Sequence, residues 1–129
     1  MKLGYVILYV DNVGATVEFY ERAFDLKRRM LDDEQNYGEL ETGGTRLAFA
    51  ARAFVSQMLP VDLAQLGSGE AAAPVELGFV ATDVAAAFKR AVAAGAAQVK
   101  PPETKPWGQT VGYVRDLNGF LVEICSEVP

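Results

Sequence analysis

Thr110-Val111-Gly112-Tyr113-Val114-Arg115-Asp116-Leu117-Asn118-Gly119-Phe120-Leu121-Val122-Glu123-Ile124-Cys125 reads as two strands with a turn between them. Asn118-Gly119 is the pair that most readily takes positive φ, and the runs on either side are rich in β-branched and aromatic residues, so a hairpin is expected. Its second strand carries one carboxylate, Glu123, set between Leu121-Val122 and Ile124-Cys125. A charge among apolar neighbours needs a partner or a use. The aromatic loop Lys105-Pro106-Trp107-Gly108-Gln109 leads into the hairpin and holds the only tryptophan.

Upstream of the hairpin, a strand is expected from Val75. Asp83 then caps a helix whose Val84, Ala87, Phe88, Ala91 and Val92 share one face, Gly95 stops it, and a short strand follows near Gln98–Lys100. The order from 75 to 129 is β-α-β-β-β. The first half repeats it. Leu3 to Val10 alternates two largely apolar faces, which predicts a strand covered on both sides. Asp11-Asn12 offers an N-cap to a helix with Val13, Val17, Tyr20 and Phe24 on one face and Glu18, Glu21 and Arg22 on the other. Strands are expected near 26–31, 37–41 and 45–50. Val55, Met58 and Leu59 suggest a helical turn that Pro60 interrupts, with a second turn over 61–66. Residues 67–74, rich in Gly, Ser and Ala, have the composition of a linker. The reading is one domain, 1–129, of two modules, 1–66 and 75–129, joined by that linker.

Two halves with one element order form an internal repeat whose register can be counted. Val13 and Val84 open the two helices 71 positions apart, and the same shift carries Tyr5 onto Glu76. Gly44-Thr45-Arg46-Leu47-Ala48 overlies Gly119-Phe120-Leu121-Val122-Glu123 with a shift of 75, which pairs Ala48 with Glu123.

Composition removes several functions. The 129 residues, 50% hydrophobic, suffice for one well-buried core. No apolar run reaches the roughly 20 residues that span a bilayer, and Met1-Lys2-Leu3 opens without a signal-peptide core, so a cytoplasmic protein without a membrane partner is expected. A net charge of −5, with no basic cluster beyond Lys27-Arg28-Arg29, argues against nucleic acid and favours cations. There is no histidine. Zinc hydrolases, catalytic triads and Cys-His nucleophiles thereby lose their central part. Cys125, the one cysteine, reads as a small buried hydrophobe.

The segments Leu8-Tyr9-Val10-Asp11-Asn12-Val13 running to Phe19-Tyr20, Glu76-Leu77-Gly78-Phe79-Val80 with its helix, Pro106-Trp107-Gly108 and Asp116-Leu117-Asn118-Gly119, in their paired arrangement, resemble the vicinal oxygen chelate superfamily. That superfamily holds glyoxalases, extradiol dioxygenases, fosfomycin resistance enzymes and the bleomycin- and mitomycin-binding resistance proteins. The resemblance implies an α+β fold of paired βαβββ modules whose curled mixed sheets surround a cavity, with the Trp107 loop at its mouth and a homodimeric assembly. In metal-dependent members one ligand stands at each position corresponding to Tyr5, Ala48, Glu76 and Glu123. Here those positions offer two carboxylates and no imidazole, suited at most to a weak, hydrated Mg²⁺ or Mn²⁺, so no bound metal and no cofactor are expected.

The expected function is therefore that of a bleomycin resistance-like binding protein, which sequesters an aromatic or cationic small molecule through Tyr5, Tyr9, Glu76, Trp107 and Glu123. Each has a plainer reading: Glu76 as a solvent-facing strand residue, Tyr5 and Tyr9 as core aromatics, Trp107 as a packing plug. The alternative is a lyase or isomerase of a small carbonyl compound with Glu76 and Glu123 as acid and base, metal-free or with a weakly bound divalent metal. Whether any reaction is catalysed stays open at this level. A third reading is an interaction module without a ligand.

Overall fold

The side chain of Asn12 accepts a hydrogen bond from the Ala15 N–H at 2.9 Å and thereby starts helix α1 (Val13–Phe24). Asp83 does the same for α3 (Val84–Ala93) through the Ala86 N–H at 3.0 Å. The computed structural model describes residues 1–63 and 71–129, which divide into two units, Met1–Gln65 and Leu66–Pro129.

In the first unit β1 (Tyr5–Val10), β2 (Lys27–Leu31), β3 (Tyr37–Glu41) and β4 (Arg46–Ala51) form a sheet of order β1-β4-β3-β2, with α1 after β1 and α2 (Arg52–Met58) after β4. In the second, β5 (Glu76–Val80), β6 (Ala97–Thr104), β7 (Thr110–Arg115) and β8 (Leu121–Cys125) form a sheet of order β5-β8-β7-β6, with α3 after β5. Each sheet is mixed and open. The pairs β1/β4 and β5/β8 are parallel and the others antiparallel.

The repeat counted in the sequence is present in the hydrogen-bond register. Tyr5 pairs with Arg46 and Ile7 with Ala48, while Glu76 pairs with Leu121 and Gly78 with Glu123. Shifts of 71 on the first strand and 75 on the last convert one set into the other.

Each helix lies on one face of its own sheet. Val13, Val17 and Tyr20 of α1 are buried with Leu8, Val10, Leu40, Leu47 and Phe49 of the strands. Val84, Phe88 and Ala91 of α3 are buried with Val114, Val122 and Ile124. Two register-equivalent glycines let the helices come close. A Cβ on Gly38 would stand 3.0 Å from Val17 Cγ2 and 3.2 Å from Val13 Cγ1, and one on Gly112 would stand 3.0 Å from Phe88 Cδ2 and 3.2 Å from the Pro102 backbone nitrogen. These two positions hold glycine for space.

Several expectations are corrected. The first strand starts at Tyr5, not Leu3, and only one of its faces is covered, because α1 packs on a single side: Leu8 and Val10 are buried, while Tyr5, Ile7 and Tyr9 are exposed. The strand expected near 98–100 extends from Ala97 to Thr104, straight through Pro101-Pro102. It is an edge strand with register shifts between Gln98 and Lys100 and between Lys100 and Glu103, so the missing proline N–H groups are tolerated. The hairpin turn gives positive φ to Gly119 alone (91°), and Asn118 has none. Asp116 closes the turn instead, its Oδ1 accepting from the N–H groups of Asn118 and Phe120 at 2.9 and 2.8 Å. The helical turn foreseen around Val55 is a two-turn helix ending before Pro60. No second turn forms over 61–63, and the remainder of that stretch, like residues 67–70 of the expected linker, lies outside the described residues. Among the described residues no helix is long and apolar enough to cross a membrane.

Gly38→Ala and Gly78→Ala should separate sharply in urea unfolding. The first forces a methyl group onto Val13 and Val17 and is expected to cost about 1–3 kcal/mol. At Gly78 an added Cβ meets nothing within 4 Å, and the change should stay within about 0.5 kcal/mol. Equal losses would contradict the close helix approach at Gly38.

Candidate functional site

Because strand side chains alternate, everything on β8 is assigned to one face or the other by its neighbours. Ile124 pairs with Gly112, whose face receives Phe88 of α3, so Val122 and Ile124 belong to the helix side and are 0% and 2% exposed. Glu123 must therefore point to the opposite, open face. There it has Tyr113 of β7 on one side and Gly78 of β5 on the other, in one row across the sheet. The space above Gly78 is unfilled, and Glu76, on the same face of β5, occupies its edge.

The two glutamates meet. Glu76 is held above the usual carboxylate range by desolvation first and then by the neighbouring Glu123 carboxyl, through hydrogen bonding that favours the protonated form and through charge repulsion. No lysine or arginine pairs with either among the described residues. The cations closest in sequence are engaged elsewhere: Lys100 and Lys105 both pair with Glu103, and Glu103 is accordingly lowered. The Tyr113 hydroxyl is pushed up by desolvation first and then by the negative charges of Glu123 and Glu76.

The Cys125 thiol, raised mainly by burial, donates to the Phe79 carbonyl at 3.7 Å. Gln109 donates from Nε2 to the Ser126 carbonyl at 3.0 Å and accepts at Oε1 from the indole N–H of Trp107 at 2.9 Å. Trp107 itself sits in the turn Lys105–Gly108, 58% exposed, with Gly108 at φ 93° and packed near Pro129. Three of the five expected site residues, Glu76, Glu123 and Trp107, belong to the second unit. Tyr5 and Tyr9 lie in the first unit, exposed on the uncovered face of β1.

Sequence reasoning missed two groups of residues. Tyr113 is one, although counting back from the Asp116 turn places it opposite Glu123. The other is a cluster on the first sheet around Glu39, which is 8% exposed. The Tyr37 hydroxyl donates to its Oε2 at 2.7 Å, and Arg29, carried by a bulge in β2, reaches its Oε1 at 3.1 Å and Glu41 at 3.3 Å. Arg46 stands 3.8 Å from Glu39 Oε1 and 6.0 Å from the Tyr5 ring centroid. Burial and the adjacent carboxylate push the Tyr37 phenol far up.

The donor set does not fit a tightly bound transition metal. Glu76 and Glu123 supply two oxygens and no nitrogen, and no group of three or more histidine, cysteine, aspartate or glutamate side chains converges to hold a metal ion among the described residues.

A family model described as the Glyoxalase/Bleomycin resistance protein/Dioxygenase superfamily matches residues 2–124. The chain is 28% identical over 125 residues to the Bacillus subtilis (strain 168) protein YraH, covering 96% of this chain and 97% of that one. It is 31% identical over 121 residues to an uncharacterized protein of Mycobacterium bovis, covering 87% of this chain and 74% of the relative. A crystal structure of a glyoxalase-related enzyme from Fulvimarina pelagi superposes with a TM-score of 0.83 at 22% identity, over 98% of this chain and 88% of the other, which is a likeness of fold.

The raised Glu76 carboxyl has a consequence for stability. The folded chain binds more protons than the unfolded one between the ordinary carboxylate pKa of 4.5 and the raised folded value, so this group's contribution is full below that window and is lost as pH rises through it. Urea midpoints measured across pH should show this decline, and Glu76→Gln should flatten it. An unchanged pH profile in the variant would exclude the raised Glu76 carboxyl as its source.

Proposed function

Because the chain belongs to the Glyoxalase/Bleomycin resistance protein/Dioxygenase superfamily, we propose that it is a small-molecule binding protein that holds a cationic aromatic ligand without a tightly bound metal. The observation that carries this reading is the Glu76–Glu123 pair, which faces open space over Gly78 and makes no ion pair with a lysine or arginine among the described residues. Two neighbouring carboxyls repel each other when both are ionised, and a ligand cation supplies the counter-charge they lack. Tyr113 supplies a phenol beside them. Trp107, tied through Gln109 to Ser126 just beyond the end of β8, presents an exposed indole on which a planar cation stacks. Tyr5 and Tyr9 are proposed as further aromatic ligand contacts.

One observation also favours a second reading. The Tyr113 hydroxyl stands beside a carboxyl pair in which Glu76 is raised above the usual carboxylate range, the elements of an acid–base site for isomerising or cleaving a small carbonyl compound. Tyr113→Phe separates the two readings, since it would abolish such a reaction while leaving the affinity for a cation largely in place.

The protein is further proposed to be a cytoplasmic homodimer. Each sheet has two free edges, and Tyr5, Ile7, Tyr9 and Val80 leave apolar surface exposed that a second copy would cover. Sedimentation equilibrium should return twice the 13.9 kDa chain mass, and a monomer at micromolar concentration would contradict it.

The binding test uses Trp107 emission, which reports one place because the chain has a single tryptophan. Cationic aromatic compounds should change it saturably, more tightly than neutral analogues of the same shape, and less tightly as salt is added. Affinity should rise with pH as Glu76 gives up its proton. Glu123→Gln should weaken binding by about 2- to 30-fold, equivalent to roughly 0.5–2 kcal/mol. Equal binding of neutral compounds, or an unaffected Glu123→Gln, would remove the carboxyl groups from the site.

A further inference from the structure

The first unit carries a second pocket of opposite charge. Lys2, Gly4, Tyr5, Gly43, Gly44 and Arg46 line a cavity of about 270 Å³ where the start of β1 lies against the turn between β3 and β4. Its lining holds two cations and no acid, in a chain whose net charge is −5. Three of the six residues are glycines, and an added Cβ on any of them would meet nothing within 4 Å, so the walls are open backbone.

Arg46 is the informative residue. Its guanidinium, with a side chain 34% exposed, makes no hydrogen bond among the described residues. Its nearest anion, Glu39 Oε1, is 3.8 Å away and already accepts from Arg29 at 3.1 Å, while Glu39 Oε2 accepts from Tyr37 at 2.7 Å. Glu39 is satisfied without Arg46. The planar fork of Arg46 therefore keeps its donors for something else, with the Tyr5 ring 6.0 Å from its carbon and holding it in place. Lys2 has no ion-pair partner among the described residues. Thr42 fastens the neighbouring turn through its hydroxyl, which donates to the Thr45 carbonyl at 2.8 Å and accepts from the Leu47 N–H at 2.9 Å. The amides of Gly43 and Gly44 are left without a protein acceptor among the described residues. Unpaired guanidinium donors, a lysine, free backbone amides and a vacant volume are what an oxyanion needs.

We propose that this pocket binds the oxyanion group, carboxylate or phosphate, of a small molecule, with Arg46 as the principal donor and Lys2 and the Gly43-Gly44 amides as its companions. The site is separate from the carboxyl pair of the second unit and does not rest on the function proposed for it.

The test titrates inorganic phosphate and benzoate, in separate experiments at matched ionic strength, into the isotope-labelled full chain. The backbone amide resonances of Gly43, Gly44 and Arg46 are followed. Saturable shifts concentrated on these residues are expected with at least one of the two; phosphate alone would identify a phosphate ester as the ligand type, benzoate alone an aromatic carboxylate. Arg46→Gln should weaken binding by about 10-fold or more. Lys2→Ala, which lies outside the strands and leaves folding intact, should weaken it less, and Glu123→Gln should bind like the unaltered chain. The proposal is overturned if neither anion gives saturable shifts, if the shifts spread over exposed lysines and arginines generally, or if Arg46→Gln and Lys2→Ala both bind unchanged.

Discussion

The structure depends on the parallel pairing of the first and last strands within each unit, because that pairing puts a central strand between a helix-covered face and an uncovered one. Once Val122 and Ile124 are committed to α3, Glu123 has only the other face, and the row Tyr113–Glu123–Gly78 follows from register alone. The same constraint in the first unit sends Leu47 and Phe49 beneath α1 and leaves Arg46 and Ala48 opposite. A glutamate within an apolar strand is thus tolerated without any ion pair, since half of each strand never enters the helix-side core. The glycines complete the arrangement. Gly38 and Gly112 let the helices approach one face, and Gly78 clears space on the other.

That geometry was readable in advance to the extent that its causes were local. Caps at Asn12 and Asp83, the helical spacing of apolar residues and the alternation in the strands are short-range signals. They sufficed for two β-α-β-β-β modules and for a count that matched the register of β1/β4 with β5/β8. What escaped depended on position in the sheet. Pro101-Pro102 looked like the end of a strand, yet β6 continues because an edge need not donate hydrogen bonds on its free side. The Asn118-Gly119 pair pointed to the right turn for the wrong reason, since the buried Asp116 carboxylate organises it.

The site was legible in the same partial way. Glu123 was conspicuous because its sequence neighbours are apolar, and Glu76 followed from the repeat. Tyr113 was countable once the hairpin was known, whereas the Arg29–Glu39–Tyr37 cluster was not. A bulge in β2 supplies Arg29, the β3 register supplies Glu39 and Tyr37, and neither has a distinctive local pattern. Long-range polar clusters of this kind are assembled by the fold and leave little trace along the chain.

Comparing the two uncovered faces at equivalent register shows how one scaffold reaches opposite electrostatics. In the first unit the row runs from Glu39 to Ala48 to Ile7; in the second it runs from Tyr113 to Glu123 to Gly78. The carboxylate stands on β3 in the first row and on β8 in the second, where β7 carries a phenol and the equivalent β4 position is an alanine. Glu39 accepts from an arginine and a phenol, and the Arg46 guanidinium is left without a hydrogen bond among the described residues. Glu123 has a phenol and another carboxyl beside it but pairs with no lysine or arginine among the described residues, so negative charge is in excess there. Neither imbalance contributes to folding, because a buried or half-buried group is most stabilising when matched. Unmatched charge that faces open volume rather than protein is charge available to a ligand, and here it is negative on the second sheet and positive on the first.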